Sequence, residues 1–108
     1  MLPRSLRVIG ERTFAGHHNL KSVRFGERSV LEEIKCRAFY GCGLESFEAP
    51  PLLKKIGDMA FGKCSSLRDF RLNVEIQELG FLCFWGTQIT GLEIPLRVRK
   101  TPQQLGIG

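Results

Sequence analysis

Residues 53–72 read LKKIGDMAFGKCSSLRDFRL, and the placing of their apolar side chains decides the fold. Phe61 is the anchor, with Ile56 five residues before it and Leu53 three before that. Leu67 follows Phe61 by six residues, Phe70 comes three later, and Leu72 two later again. The same six positions recur along the chain. Phe14, Phe39, Phe61 and Phe84 lie 25, 22 and 23 residues apart. Ahead of them stand Ile9, Ile34, Ile56 and Leu79, and ahead of those Leu6, Leu31, Leu53 and Ile76. Behind them come Leu20, Leu44, Leu67 and Ile89, then Val23, Phe47, Phe70 and Leu92, then Phe25, Ala49, Leu72 and Ile94. All six columns are apolar in all four copies.

The downstream half of each copy, L-x-x-V-x-F, L-x-x-F-x-A, L-x-x-F-x-L and I-x-x-L-x-I, is a leucine-rich pattern at a period inside the range of such repeats. Its last two apolar residues are two apart, the period of a strand with one buried face. One such strand cannot bury that face alone. Stacking copies at about 4.8 Å joins the strands into a parallel sheet and each column into a core ladder. Segments 20–25, 44–49, 67–72 and 89–94 are therefore expected to form the sheet, with Ile9, Phe14 and their equivalents turned inward on the return path. Thr13, Ala38, Ala60 and Cys83 beside each Phe predict a tight turn or short helix, punctuated by glycines 16, 41, 62 and 86.

The chain's 108 residues allow one domain, and a 43% hydrophobic fraction argues against disorder. No apolar run approaches the roughly 18 residues that cross a bilayer. Residues 1–15 carry Arg4, Arg7, Glu11 and Arg12 without a continuous apolar core, so no signal peptide is read there. A cytosolic protein, a mature form and a piece of a longer chain all stay open. The net charge of +5 sets only a weak preference for acidic partners.

Three stretches carry a family resemblance: LPRSLRVIGERTF at 2–14, IKCRAFYGCGL at 34–44 and IGDMAFGKCSSL at 56–67. They resemble the BspA-like leucine-rich repeats of bacterial and protist surface proteins, over residues 2–95. The resemblance implies a right-handed α/β solenoid, with a parallel β-sheet on the concave face and short turns or helices on the other side. It implies adhesion-type or surface protein–protein contact, as part of a longer secreted or surface-attached protein, and it brings no catalytic residues. The pattern departs at His17 and Thr87, where the family has cysteine, and at Lys35, where it has glycine. About 4.5 repeats of 22–25 residues are read: 2–26, 27–50, 51–73, 74–95 and a partial 96–100, within a solenoid spanning 1–100. After Val98, Thr101 and Pro102 take the places of Ile56 and Gly57, and the frame is read as ending there. Residues 101–108 are expected to be a degenerate or truncated end. No cap is recognisable at either end, which leaves a fragment and a free-standing chain both open, with self-association through uncapped ends as one partner reading.

Charges fall in columns as well. One reads Arg7, Glu32, Lys54, Gln77; the next Val8, Glu33, Lys55, Glu78; on the strand, Lys21, Glu45, Arg68, Thr90 and Arg24, Glu48, Arg71, Glu93. Odd copies are basic and even copies acidic, so each charge is expected to meet an opposite one above and below. Such exposed pairs contribute about 0.2–1 kcal/mol each, and a slip by one repeat would set like charges side by side. The alternation argues against a nucleic-acid groove, which needs one sign.

Strand alternation points Ser22, Arg24, Ser46, Glu48, Asp69, Arg71, Gly91 and Glu93 away from the core, and these are the candidate binding residues of the concave face. His17, Cys42 and Cys64 share a column; inert core is the default reading, with a disulfide or a metal as the sharper ones. Cys36 and Cys83 fall in other columns. Trp85 and Tyr40 share a column on the turn side, and packing against the neighbouring turn is preferred to anchoring a partner. Arg97, Arg99 and Lys100 make a small basic cluster read as a solvated end. No phosphate loop, paired acids or triad is visible, so no enzyme and no cofactor are expected. The expected function is a protein-interaction module with a protein partner, no nucleic acid and no membrane insertion. The alternatives are a structural spacer without a ligand and a weak polyanion binder.

Overall fold

A computed structural model describes residues 2–107; Met1 and Gly108, which close the boundaries read above, lie outside the described residues. Two parallel sheets run up the stack, not one. The first joins four strands in the order β1 (Val8–Ile9), β2 (Glu33–Ile34), β4 (Lys55–Ile56) and β6 (Glu78–Leu79). The second joins β3 (Ser46–Glu48) and β5 (Asp69–Arg71).

The four-stranded sheet lies on the path that the sequence reading assigned to the return. Its register matches the columns: Ile9 faces Ile34, Ile34 faces Ile56, and Ile56 faces Leu79. Each strand is two residues long, one outward and one buried, too short for a period of two to show in the sequence. The expected sheet forms only in part. Segments 44–49 and 67–72 contain β3 and β5, paired Ser46 to Asp69, Phe47 to Phe70 and Glu48 to Arg71. Segments 20–25 and 89–94 do not join them as strands; Phe25 instead makes an isolated parallel bridge to Leu2. Segment 89–94 is broken by Gly91, whose φ of 68° is left-handed where a strand must be extended.

Between the sheets runs a ladder of aromatic rings. Phe14, Phe39, Phe61 and Phe84 stack at 5.2, 5.1 and 6.1 Å between centroids. Phe47 and Phe70 stack at 5.2 Å and set their faces edge-on to that column, 4.8 Å from Phe61 and 4.7 Å from Phe84 respectively. Copy spacing of about 4.8 Å is what brings rings of one column into contact. Leu31, Leu53 and Ile76 and Leu44 and Leu67 are fully buried beside them.

The turns after each strand form a third hydrogen-bonded layer. Phe14 N–H donates to Ala38 O at 2.7 Å, Phe39 N–H to Ala60 O at 2.8 Å, and Phe61 N–H to Cys83 O at 2.9 Å. Two residues before each Phe stand Arg12, Arg37, Met59 and Leu82, all at positive φ without being glycine. The glycine two residues after the Phe is left-handed in the first, second and fourth copies, and Lys63 takes that conformation in the third while Gly62 does not.

Residues 101–107 continue this layer rather than ending it. Leu82 and Phe84 donate to the carbonyls of Gln104 and Leu105 at 2.8 and 3.0 Å. The turn there is the short helix α1 (Pro102–Leu105), with Thr101 and Gln104 in a reciprocal capping box and Pro102 in its first turn. Leu105 stands where Ala60 and Cys83 stand in earlier copies and is fully buried. The frame looks broken in the sequence although the layer is intact, because the layer asks only carbonyl acceptors of this last copy, and the N–H that Pro102 lacks is not among them.

Candidate contact surface

The surface is built on β3 and β5. Phe47 and Phe70 turn into the ring ladder, so the pleat turns Ser46, Glu48, Asp69 and Arg71 outward. With Phe47 these four line a shallow depression of about 390 Å³. All eight residues named from the sequence are exposed. The structure brings four of them together in one paired ladder; Ser22 and Arg24 flank it on one side, Gly91 and Glu93 on the other. Each flank parts from the sheet and leaves a cleft. The cleft beside 23–27 has a volume of about 560 Å³, and Pro50 and Pro51 are among the residues that line it. The cleft beside 89–94 has a volume of about 760 Å³ and includes Arg71, Gly91 and Glu93.

The sequence reading did not single out Asn73, Val74 or Arg97 as parts of that region, and it placed Arg68 in the charge ladder only. Asn73 Nδ2 donates to the carbonyls of Pro51 and Leu53 at 3.0 and 2.7 Å. One copy later, the Arg97 guanidinium repeats the staple on Ile76 O at 2.7 Å and on Val74 O. No column rule reveals this, because an amide and a guanidinium do the same work. The basic cluster therefore disperses: Arg97 is held on carbonyls, and Lys100 lies over the Phe81 ring at 5.1 Å.

Among the described residues the charge columns close in three places. Arg7 meets Glu32 at 3.0 Å, Lys21 meets Glu45 at 3.7 Å and Lys55 meets Glu78 at 3.9 Å. Glu48 and Arg71 are in register on neighbouring strands, yet among the described residues neither is in an ion pair. The charges of the contact face are thus free while those beside it are partly paired.

Cys42 and Cys64 stack with sulfurs 3.7 Å apart, and the Cys64 thiol donates to Phe39 O at 3.0 Å. The cysteines are free thiols. The sulfur–sulfur contact with Cys64 holds the Cys42 thiol below its ordinary pKa against the opposing effect of burial. The same contact, with burial, pushes Cys64 up, and burial chiefly, with the Asp58 charge, pushes Cys83 up. His17 leaves this column: its ring nitrogen is 3.3 Å from Ala15 O, and the residue is exposed. Tyr40 lies over Gly62, while Trp85 is half exposed beneath the Lys63 ammonium at 5.4 Å. No described helix is long and apolar enough to cross a membrane.

Stacked parallel strands, a continuous ring ladder and repeating turns define a leucine-rich-repeat scaffold. The family model described as BspA type leucine rich repeat region, in 6 copies, matches residues 1–105, and the chain belongs to that family. Two solved structures are similar to it. The pneumococcal vaccine antigen PcpA shares 29% identity at a TM-score of 0.73, over 79% of this chain and 21% of that one. A leucine-rich repeat protein from Bacteroides ovatus ATCC 8483 shares 34% identity at a TM-score of 0.72, over 79% of this chain and 22% of that one. The chain thus covers about a fifth of the length of each. Among curated proteins nothing matches.

Proposed function

We propose that the chain is a non-catalytic protein-interaction segment of a surface-recognition or adhesion scaffold. Its contact face is the outer side of β3 and β5 with the flanking residues Ser22, Arg24, Gly91 and Glu93. The observation that carries the reading is the free charge of this face: Glu48 and Arg71 stand in register, exposed and, among the described residues, without ion pairs. Solenoids of this kind bind along one extended surface built from successive copies. The family and its resemblance to a pneumococcal vaccine antigen support a place on a cell surface. The solenoid takes the right-handed course that the family resemblance implies.

The test is immobilised chain exposed to mixed extracellular proteins, with heparin and RNA as separate analytes, at low and high salt. A protein retained at both salts, and lost when Glu48 and Asp69 are changed to Lys, supports the reading. Retention of polyanions at low salt alone would replace it with nonspecific charge attraction. No retention by a chain that melts cooperatively would favour a spacer without a ligand of its own.

A further inference from the structure

The edge of β5 that faces residues 89–94 is open. Asp69 N–H donates to Glu45 O at 3.4 Å and Ala49 N–H donates to Arg71 O at 2.9 Å, so Asp69 and Arg71 spend their backbone groups on the β3 side. Alternation along a strand then turns the N–H and C=O of Phe70 the other way. Gln88 N–H reaches Leu67 O at 2.9 Å, and there the two segments part. Among the described residues no backbone bond joins 89–94 to Asp69–Arg71. The cause is local. Gly91, at φ 68°, leaves the extended path, and nothing lies within 4 Å of where its Cβ would be.

An unpaired strand edge in a sheet is a template for another strand. The walls of this one state what kind. Arg68 and Arg71 make no ion pairs among the described residues, and Glu93 is the one carboxylate of the lining. Arg97 is held on the carbonyls of Val74 and Ile76. Leu72 and Leu92 are half-buried, and Val74 at the rim is 82% exposed, an apolar surface that no described residue covers.

We propose that the cleft between β5 and residues 89–94 accepts an extended, acidic peptide segment of a partner protein, added as a strand to the open edge of β5. The inference rests on the reading of this face as the contact surface and names the chemistry of what it contacts. Main-chain hydrogen bonds to Phe70 supply affinity, and alternate side chains supply specificity. Apolar residues of the segment cover Leu72, Leu92 and Val74; its carboxylates meet Arg68 and Arg71. Gly91 keeps the edge open, because a residue that prefers the extended conformation there would let the chain's own fourth copy take the place of the guest.

The probe is a labelled, end-blocked peptide of about six residues alternating Glu and Val, long enough to span a strand. Its anisotropy is followed on titration with the whole chain. Saturable binding is expected, weakened at least about tenfold by Lys in place of Glu and by N-methylation of every second amide, which removes donors without changing side chains. Arg68→Glu with Arg71→Glu should weaken it as much, both positions being exposed. Gly91→Val, which favours the extended path, should weaken binding more than Gly91→Asn, which tolerates the left-handed backbone and keeps the edge open, with both chains still melting cooperatively. Equal binding of the N-methylated peptide would overturn strand addition, and equal binding of the Lys peptide would overturn the acidic specificity. Absence of binding to a cooperatively folded chain would overturn the whole inference. A captured protein that depends on Glu48 and Asp69 but ignores Arg68 and Gly91 would overturn the cleft and leave the contact face standing.

Discussion

The two sheets are built by the same repeat, yet one runs through all four copies and the other through only two. On the four-stranded side every copy is bound to the one before it. Lys35 N–H donates to Ile9 O, Gly57 N–H to Ile34 O and Gly80 N–H to Ile56 O, at 2.9, 2.7 and 2.7 Å. On the other side the ladder stops at β3 and β5, and clefts open on both flanks. Regularity makes the first side a scaffold. Irregularity gives the second side edges, free charges and room, which are what a contact surface needs.

Phe61 ties the two sides together, stacked between Phe39 and Phe84 and set edge-on to Phe47 and Phe70. Truncating it removes a fully buried ring from both sides at once. Phe61→Ala should cost about 3–5 kcal/mol, a large part of the total stability of a domain this size. Thermal unfolding by circular dichroism checks it. A melting temperature within a few degrees of the parent would mean that each sheet is held by its own contacts and that the ring ladder is incidental.

Two glycines separate the sides more finely. At Gly80, on the regular side, a Cβ would lie 2.4 Å from Asp58 N, inside the backbone of the preceding copy. At Gly91 the space is open and only the left-handed φ of 68° resists a side chain. The two sites should therefore rank the same substitutions in opposite order. At position 80, Gly80→Ala should cost about 1–3 kcal/mol and Gly80→Asn more, because bulk is the problem. At position 91, Gly91→Ala should cost about 1–2 kcal/mol and Gly91→Asn less, because Asn tolerates that conformation. Chemical denaturation of the four variants decides it; the same order at both sites would remove the distinction.

What the sequence discloses follows from this division. The Phe and aliphatic columns are legible because stacking needs the same apolar group at the same place in every copy. The outward placement of Ser46, Glu48, Asp69 and Arg71 follows from alternation around Phe47 and Phe70. The four-stranded sheet is not legible, since Val8–Ile9 and its equivalents are too short to display a period. The turn beside each Phe is legible from the small residues Thr13, Ala38, Ala60 and Cys83, but its backbone is not: Arg12, Arg37, Met59 and Leu82 are left-handed where the sequence offers no glycine to signal it. Nor does Gly91 announce its φ. A glycine in a strand pattern reads as a weakness, and only coordinates show that it opens a cleft.

The smallest effect belongs to the charge columns, and it tests the comparison on its own terms. Arg7 and Glu32 stand beside the regular sheet and touch at 3.0 Å. Both side chains are well exposed, at 70% and 39%, so water and salt screen the pair. A double-mutant cycle with Arg7→Ala and Glu32→Ala should give a coupling of about 0.2–1 kcal/mol that fades as salt rises. The matching cycle on Glu48 and Arg71 should give almost none, because those charges are in register without closing. Equal couplings would show that Glu48 and Arg71 are already satisfied by each other, which removes the free charge on which the contact surface is argued. Unequal couplings, in the expected order, would mean that the chain closes opposite charges at Arg7 and Glu32 beside the regular sheet and leaves Glu48 and Arg71, on the face of β3 and β5, free for a partner.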